Sequence, residues 1–376
     1  MKCIDELKAA ELKGKRVLLR ASLDLPLDEE GKVSDVFRLK RSFESLTYLQ
    51  NAGARTILIG KIGRDPKESM EPVAGALKAF FSVFYVPHVS GAAVESAIQG
   101  MRDGDIVLLE NLQQDPREIA GDDSFASEIA HFGEIYVNDA FLSAHRTSAS
   151  MVGIPKFLPS YAGFLMREEV EHLNAARSPE HPSFAILGGA KFETKAPLIS
   201  RLLESYDHLF IAGALANDVF KARGLPVGRS VVSSELPTPA VLSHPHFLAP
   251  VDVTVERLDE QARVKKPDAV EAGDKIVDIG PDSLKEIAPY IAEAKFILWN
   301  GPTGLYEDGF ISWTHAIAEL IAKSDAKKVI GGGDAIAAIE ESSVSVERLG
   351  FLSTGGGAML EYLLKGTLPG IEALEN

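Results

Sequence analysis

Cysteine is almost missing from this chain. Cys3 alone excludes an internal disulfide and any multi-cysteine metal site, as expected of a reducing compartment. Apolar runs of membrane-spanning length are missing as well, and the opening Met-Lys-Cys-Ile-Asp-Glu has no apolar signal-peptide core, so a cytoplasmic protein is expected. No long Lys/Arg block relieves a net charge of −15, which argues against nucleic acid and anionic membrane as partners. The nine histidines show no metal-ligand spacing. Ser/His/Asp hydrolase signatures and the simple dinucleotide fingerprint are also lacking. Small molecules remain as the expected partners, and a monomer as the expected state. With 376 residues, 45% hydrophobic and 25% charged, the chain is long enough for two domains and ample buried core.

What is present is glycine in a particular arrangement. Residues 329–358 hold Val-Ile-Gly-Gly-Gly-Asp (329–334) and Phe-Leu-Ser-Thr-Gly-Gly-Gly-Ala (351–358), each reading as a short strand, a triple-glycine turn and a helix. Such a turn lets bare N–H groups converge, and the helix adds the positive end of its dipole, which together seat a phosphate or another anion. One such turn is more often merely structural. Two on the same plan, about twenty residues apart, suggest a polyphosphate, though the pattern does not name the ligand.

The first half alternates strands with helices. Strands are expected at 17–19, 56–59, 83–86, 106–109 and 135–137, with a helix over 36–50 striped by Phe43, Leu46 and Leu49 and capped by Asp35. This predicts a mostly parallel sheet covered by helices, with ligands beyond the carboxyl ends of the strands. Arg20, Ser22 and Asp24 follow the first strand, and Lys61, Gly63 and Arg64 the second. Glu110, Asn111 and Gln113 follow the fourth, and Asn138, Asp139, His145 and Arg146 the fifth. With Arg38 from the first helix, these bases would suit an acidic substrate, or each is an ordinary surface charge.

Prolines 155, 159, 179 and 182 bracket a helix expected over 161–176, read as the spacer between domains. A second α/β series follows, with strands near 184–187, 209–212, 251–255, 275–278, 296–299, 329–330 and 351–352. Its first strand ends in Gly188-Gly189-Ala190-Lys191-Phe192-Glu193-Thr194-Lys195. If helical, Lys191 and Lys195 share a face and repel unless an anion lies beside them; otherwise both point to water. Another strand-end loop is Trp299-Asn300-Gly301-Pro302-Thr303-Gly304-Leu305-Tyr306-Glu307, whose acid meets a ribose hydroxyl or is an ordinary loop residue.

At this point the chain resembles the phosphoglycerate kinase family along nearly its whole length. The resemblance rests on residues 188–195, 299–307, 331–334 and 353–357. In the first half it rests on Arg38, Gly63-Arg64, Glu110-Asn111-Leu112, residues 136–141 and Ala144-His145-Arg146. It implies two doubly wound parallel-sheet lobes facing a cleft: an acceptor lobe over residues 1–160, an interdomain helix over 161–177 and a nucleotide lobe over 178–363, with the tail 364–376 returning to the first lobe. The implied reaction is reversible phosphoryl transfer between 1,3-bisphosphoglycerate and ADP, giving 3-phosphoglycerate and ATP, with Mg2+. By resemblance, Arg38 and Lys191 flank the moving group with backbone N–H groups near Gly332, Gly333 and Gly355. Lys195 holds nucleotide phosphates, Asp334 the magnesium and Glu307 the ribose, while Gly213 lies near the adenine, and Ala335 follows the metal aspartate. The acceptor would meet Ser22, Asp24, Arg38, Lys61, Arg64, Gln113 and Arg146.

Departures from the family pattern concentrate in the first half. Ser22 and Asp24 stand in place of Asp and Asn, Lys61 in place of His, Asp65 of Pro, Gln113 of Arg and Ser148 of His. The loop after Arg64 is shortened. In the second half Ala335 replaces a Thr. They read as exchanges that keep four positive charges (Arg38, Lys61, Arg64, Arg146) while changing geometry. Two alternatives follow from them: a paralogue acting on another small carboxylate, or a nucleotide-binding homologue weakened in catalysis.

Overall fold

The computed structural model describes residues 1–34, 36–258 and 261–375, and the chain divides into two units, Met1–Glu171 with Thr367–Asn376, and His172–Gly366. In the first unit six strands form one parallel sheet: β1 (Arg16–Ala21), β2 (Arg55–Ile59), β3 (Val83–Val86), β4 (Ile106–Leu109), β5 (Ile135–Asp139) and β6 (Ser160–Ala162). Their order is β3-β4-β2-β1-β5-β6. Central strands in such a sheet are apolar on both faces. Val17, Leu19 and Ala21 of β1 join a core with Leu46, Leu49, Val73 and Leu77 from helices Phe43–Asn51 and Glu71–Leu77, and Leu18 faces the other way.

The helix expected over 36–50 is two, Val36–Arg41 and Phe43–Asn51. They part at Ser42, whose N–H turns back to Leu39 O at 3.2 Å and whose hydroxyl is buried without a partner. The cap expected from Asp35 lies outside the described residues. The spacer helix begins at Phe164 rather than 161 and runs to Arg177; Tyr161 and Ala162 pair with β5 instead. Gly163 makes the turn, since a Cβ there would stand 2.2 Å from Asp139 Oδ1, and that oxygen accepts the Met166 N–H at 3.0 Å. Burial lifts the Asp139 carboxyl to about 6.

In the second unit β7 (Ser183–Leu187), β8 (His208–Ile211), β9 (Phe247–Leu248), β13 (Phe296–Asn300), β14 (Lys327–Gly331) and β15 (Phe351–Ser353) form a parallel sheet ordered β15-β14-β13-β7-β8-β9. Two strands expected in this series lie elsewhere. Those near 251–255 and 275–278 are β10 (Val253–Glu256) and β12 (Lys275–Ile279), which with β11 (Arg263–Lys265) build a separate antiparallel sheet ordered β11-β10-β12. The alternating burial of β10 marks a strand covered on one face only, unlike the fully buried β7 and β13.

Candidate active site

Strand order in the second unit reverses between β7 and β13, where open α/β sheets open a crevice at their carboxyl ends. The loops leaving β7, β8 and β13 meet through backbone hydrogen bonds. Gly188 N–H donates to Asn300 O at 2.8 Å, and a Cβ on Gly188 would lie 2.1 Å from Pro302 O. Gly213, at φ +64°, donates to Thr303 O at 3.1 Å; a Cβ there would stand 2.7 Å from Gly189 N. Glycine is required at both positions. Beyond them opens a cavity of about 250 Å³, whose lining includes Gly189, Gly213, Asn217, Thr303, Glu307 and Asp334.

Asp278 also lines this cavity, and sequence reasoning missed it. Its side chain is buried, accepts the Ile279 N–H at 2.8 Å, and is pushed by burial to about 7. The available signal was an acid inside the apolar run Lys-Ile-Val-Asp-Ile. Glu307 lies in the short turn Tyr306–Asp308, its side chain exposed at the rim.

Lys191 and Lys195 do not share a helical face, because the helix Phe192–Ser205 starts after Lys191. Lys191 has φ 66° and ψ 73°, the one positive φ outside glycine among the described residues. A left-handed backbone costs a side-chain-bearing residue about 1–2 kcal/mol. Lys191 is exposed, whereas Lys195 is half-buried and donates to Ala190 O at 2.5 Å. Burial lowers the Lys195 pKa and the neighbouring Lys191 charge lowers it further. The two ammonium groups therefore do feel each other, as expected of a place that favours an anion.

Both glycine turns have the expected plan. Gly332, at φ +96°, separates β14 from the helix Gly333–Glu340; Gly356, at φ +51°, separates β15 from Gly357–Lys365. A Cβ on Gly331 would meet Met359 Sδ at 2.1 Å, so Met359 would have to shift. Asp334 is exposed in the first helical turn, and Ala335 behind it is buried. The Gly355 N–H is engaged within its own loop by Ser353 Oγ at 3.2 Å. Magnesium, a hard cation, is commonly held by one or two carboxylates with substrate phosphates completing its shell. An exposed Asp334 on the cavity fits that pattern, and no group of three or more metal-binding side chains occurs among the described residues.

In the first unit the strand-end residues come together only in part. Lys61 Nζ pairs with Asp24 and also donates to Gly63 O at 3.1 Å, while Asp24 Oδ1 accepts the Gly63 N–H at 2.8 Å. The ammonium expected to serve the acceptor is thus paired with a carboxylate from the loop after β1. Asn111 braces the same turn, donating to Ile62 O and Glu68 O at 3.1 and 2.8 Å. Ser22 Oγ is buried without a partner, and Gln113 Oε1 likewise. Arg64 and Arg146 are exposed and Arg38 half-buried. Arg20 does not belong to the edge. It is buried, donating from Nε to Ser150 Oγ at 3.1 Å, and Ser150 in turn donates to Glu118 at 2.5 Å.

A family model for phosphoglycerate kinase matches residues 7–366. The chain belongs to the phosphoglycerate kinase family. It is 40% identical to phosphoglycerate kinase of Herpetosiphon aurantiacus, covering 96% of this chain and 97% of the other, and 38% identical to that of Coprothermobacter proteolyticus, covering 98% of each. The fold is similar to solved phosphoglycerate kinases from Coxiella burnetii (TM-score 0.84, 30% identity, 99% of this chain and 98% of that one) and Pyrococcus horikoshii (TM-score 0.88, 26% identity, 100% and 98%). The chain is accordingly an enzyme that transfers phosphate to a carboxylate, with ATP and ADP as co-substrates. Neither alternative, the paralogue or the weakened homologue, is favoured. No helix among the described residues is long and apolar enough to cross a membrane.

Proposed function

We propose that the unit His172–Gly366 holds magnesium-nucleotide in the crevice beyond β7 and β13, and that the strand-end loops of Met1–Glu171 hold 3-phosphoglycerate. The observation that carries the nucleotide half is that Gly213, Glu307 and Asp334 line one cavity. Gly213 faces the adenine there, Glu307 the ribose, and Lys195 the phosphates with Gly332, Gly333 and Ala335 behind them. Asp334 holds magnesium, which when bound neutralises phosphate charge.

A terminal oxygen of the ADP β-phosphate forms the new P–O bond, while the bond to the carboxyl oxygen breaks and 3-phosphoglycerate leaves as its carboxylate. Neither oxygen needs a proton moved at neutral pH, so the chain needs no general base and mainly positions and neutralises. Lys191 supplies positive charge to the equatorial oxygens in flight, with N–H groups of the glycine turns about Gly332 and Gly355. Arg38 is the guanidinium assigned to the same group. Arg64 and Arg146 hold the acceptor's anionic ends, supported by Ser22, Gln113 and the Asp24–Lys61 pair. The enzyme works as a cytoplasmic monomer.

A coupled assay with ATP, magnesium and 3-phosphoglycerate, run beside glycerate and other phosphorylated carboxylates, tests this reading. Turnover is expected with 3-phosphoglycerate foremost; a better rate with another acid would move the acceptor assignment.

A further inference from the structure

Lysine is an unsuitable residue to precede a helix. It carries no acceptor for the orphan N–H groups of the first turn, which Ser, Thr, Asp or Asn at that position would satisfy. Lys191 nevertheless occupies the N-cap of Phe192–Ser205, in a left-handed conformation, with no side-chain cap bond. Its backbone is fastened on both sides. Thr194 donates to Lys191 O from N and from Oγ1, at 3.2 and 2.8 Å, and the Phe192 N–H donates to Ser233 Oγ at 2.9 Å.

Ser233 is itself fixed. Asp218, fully buried in the helix Ala214–Ala222, accepts the Ser233 N–H at 2.7 Å and the Ser233 hydroxyl at 2.9 Å. Asn217 Nδ2, next along that helix, holds Val231 O at 3.1 Å. Burial pushes the Asp218 carboxyl up, while the two bonds from Ser233 favour its charged form. An ionised carboxylate only accepts, so the single serine proton goes to Asp218 and an oxygen lone pair is left for Phe192.

We propose that Asp218 and Ser233 are positioning residues that hold the first N–H of the Phe192–Ser205 helix from outside, fix the backbone at Lys191, and so aim the Lys191 side chain at the transferred phosphoryl group. This rests on the role given to Lys191 above. A capping residue at 191 would lose the ammonium, and its side chain would reach the second or third N–H rather than that of Phe192, which Ser233 holds.

The test is steady-state kinetics and thermal melting of the full chain with Ser233→Ala and Ser233→Thr, each also in a Lys191→Ala background. Ser233→Ala should lower kcat about tenfold with nucleotide KM within about twofold, and Ser233→Thr, which keeps the hydroxyl, should recover most of it. With Lys191→Ala already present, Ser233→Ala should change the residual kcat by less than about twofold, since the relay acts through the missing ammonium. Should Ser233→Ala fail to fold, Asp218→Asn carries the same comparison, because an amide offers both donor and acceptor and frees the hydroxyl to turn. A lowered Tm with unchanged kcat, or equal losses in both backgrounds, would make the relay a plain structural cap and overturn the proposal. Wild-type turnover by Lys191→Ala alone would overturn the role of the lysine instead.

Discussion

The carboxyl edges of the two sheets are built from different materials. In the second unit the edge is largely backbone: Gly188 and Gly213 each stand where a Cβ would meet another backbone atom at 2.7 Å or less. In the first unit the edge is side chain, with Asp24, Lys61 and Asn111 bracing the Gly63 turn and with Arg64 and Arg146 exposed. A backbone surface admits few substitutions, because any Cβ displaces a neighbour. A side-chain surface can exchange charges between positions and keep its sign. That difference suits the expectation that departures from the family pattern collect in the first unit, where Lys61 and Asp24 form a mutually neutralising pair.

The comparison can be broken most forcefully at Lys191, a residue of the second unit that contributes charge as well as backbone. Lys191→Ala should lower kcat at least about a hundredfold, with a smaller change in nucleotide KM, the scale expected for one lost electrostatic stabiliser. Unchanged turnover would remove Lys191 from the mechanism.

Nucleotide binding should be independent of the first unit's exchanges. Magnesium-ADP at about a hundred times its Kd should stabilise the protein by about 2.7 kcal/mol, read as a rise in Tm. Asp334→Ala should abolish most of the magnesium-dependent part, whereas Asp24→Asn should leave the rise intact. Loss of the rise in both would erase the distinction between the edges.

The pair itself gives a sharper prediction of sign. Lys61→Ala leaves Asp24 unpaired toward an acidic substrate, and acceptor KM should rise at least about tenfold, roughly 1.4 kcal/mol. Removing both charges, as Lys61→Met with Asp24→Asn, should recover part of that loss. Asp24→Asn alone, by releasing the ammonium, should lower acceptor KM. A rise in KM for Asp24→Asn would mean that bracing the Gly63 turn matters more than charge.

The smallest effect separates backbone strain from ammonium at a single position. Lys191→Gly relieves about 1–2 kcal/mol of left-handed strain and returns up to about 1 kcal/mol through a more flexible unfolded chain. It should therefore melt slightly above Lys191→Ala while being as inactive. A Gly variant melting below the Ala variant would show that the clamp around Lys191 stores no strain.

Sequence patterning made the parallel sheets and the glycine turns legible because both leave local marks, continuous apolar runs and residues without Cβ. It misplaced features that depend on distant partners. Tyr161 and Ala162 read as helix by proximity to prolines, yet edge pairing with β5 takes them. Nothing in the Val-Asp-Val-Thr-Val run of residues 251–255 announces an antiparallel partner. Arg20 sits among candidate site residues in the chain but points to Ser150, 130 residues away. Lys61 and Asp24, read as independent charges, face each other only once two strand-end loops are side by side. Asp278 left only a weak mark, an acid inside an apolar strand with no neighbour in sequence that explains it.

The last stretch of the chain, Thr367–Asn376, belongs to the first unit. Leu368, Ile371 and Leu374 are buried there, Gly370 N–H donates to Ala144 O at 2.8 Å, and Asn138 Nδ2 reaches Gly370 O at 3.4 Å. The ribosome delivers these residues only after all of His172–Gly366 has been made. The unit translated first is therefore finished last, and the nucleotide unit can reach its final packing while the other still waits for its closing residues. A nonsense change near residue 366 would spare the glycine cradle entirely and strip the opposite unit, begun more than three hundred residues earlier, of a wall of its core.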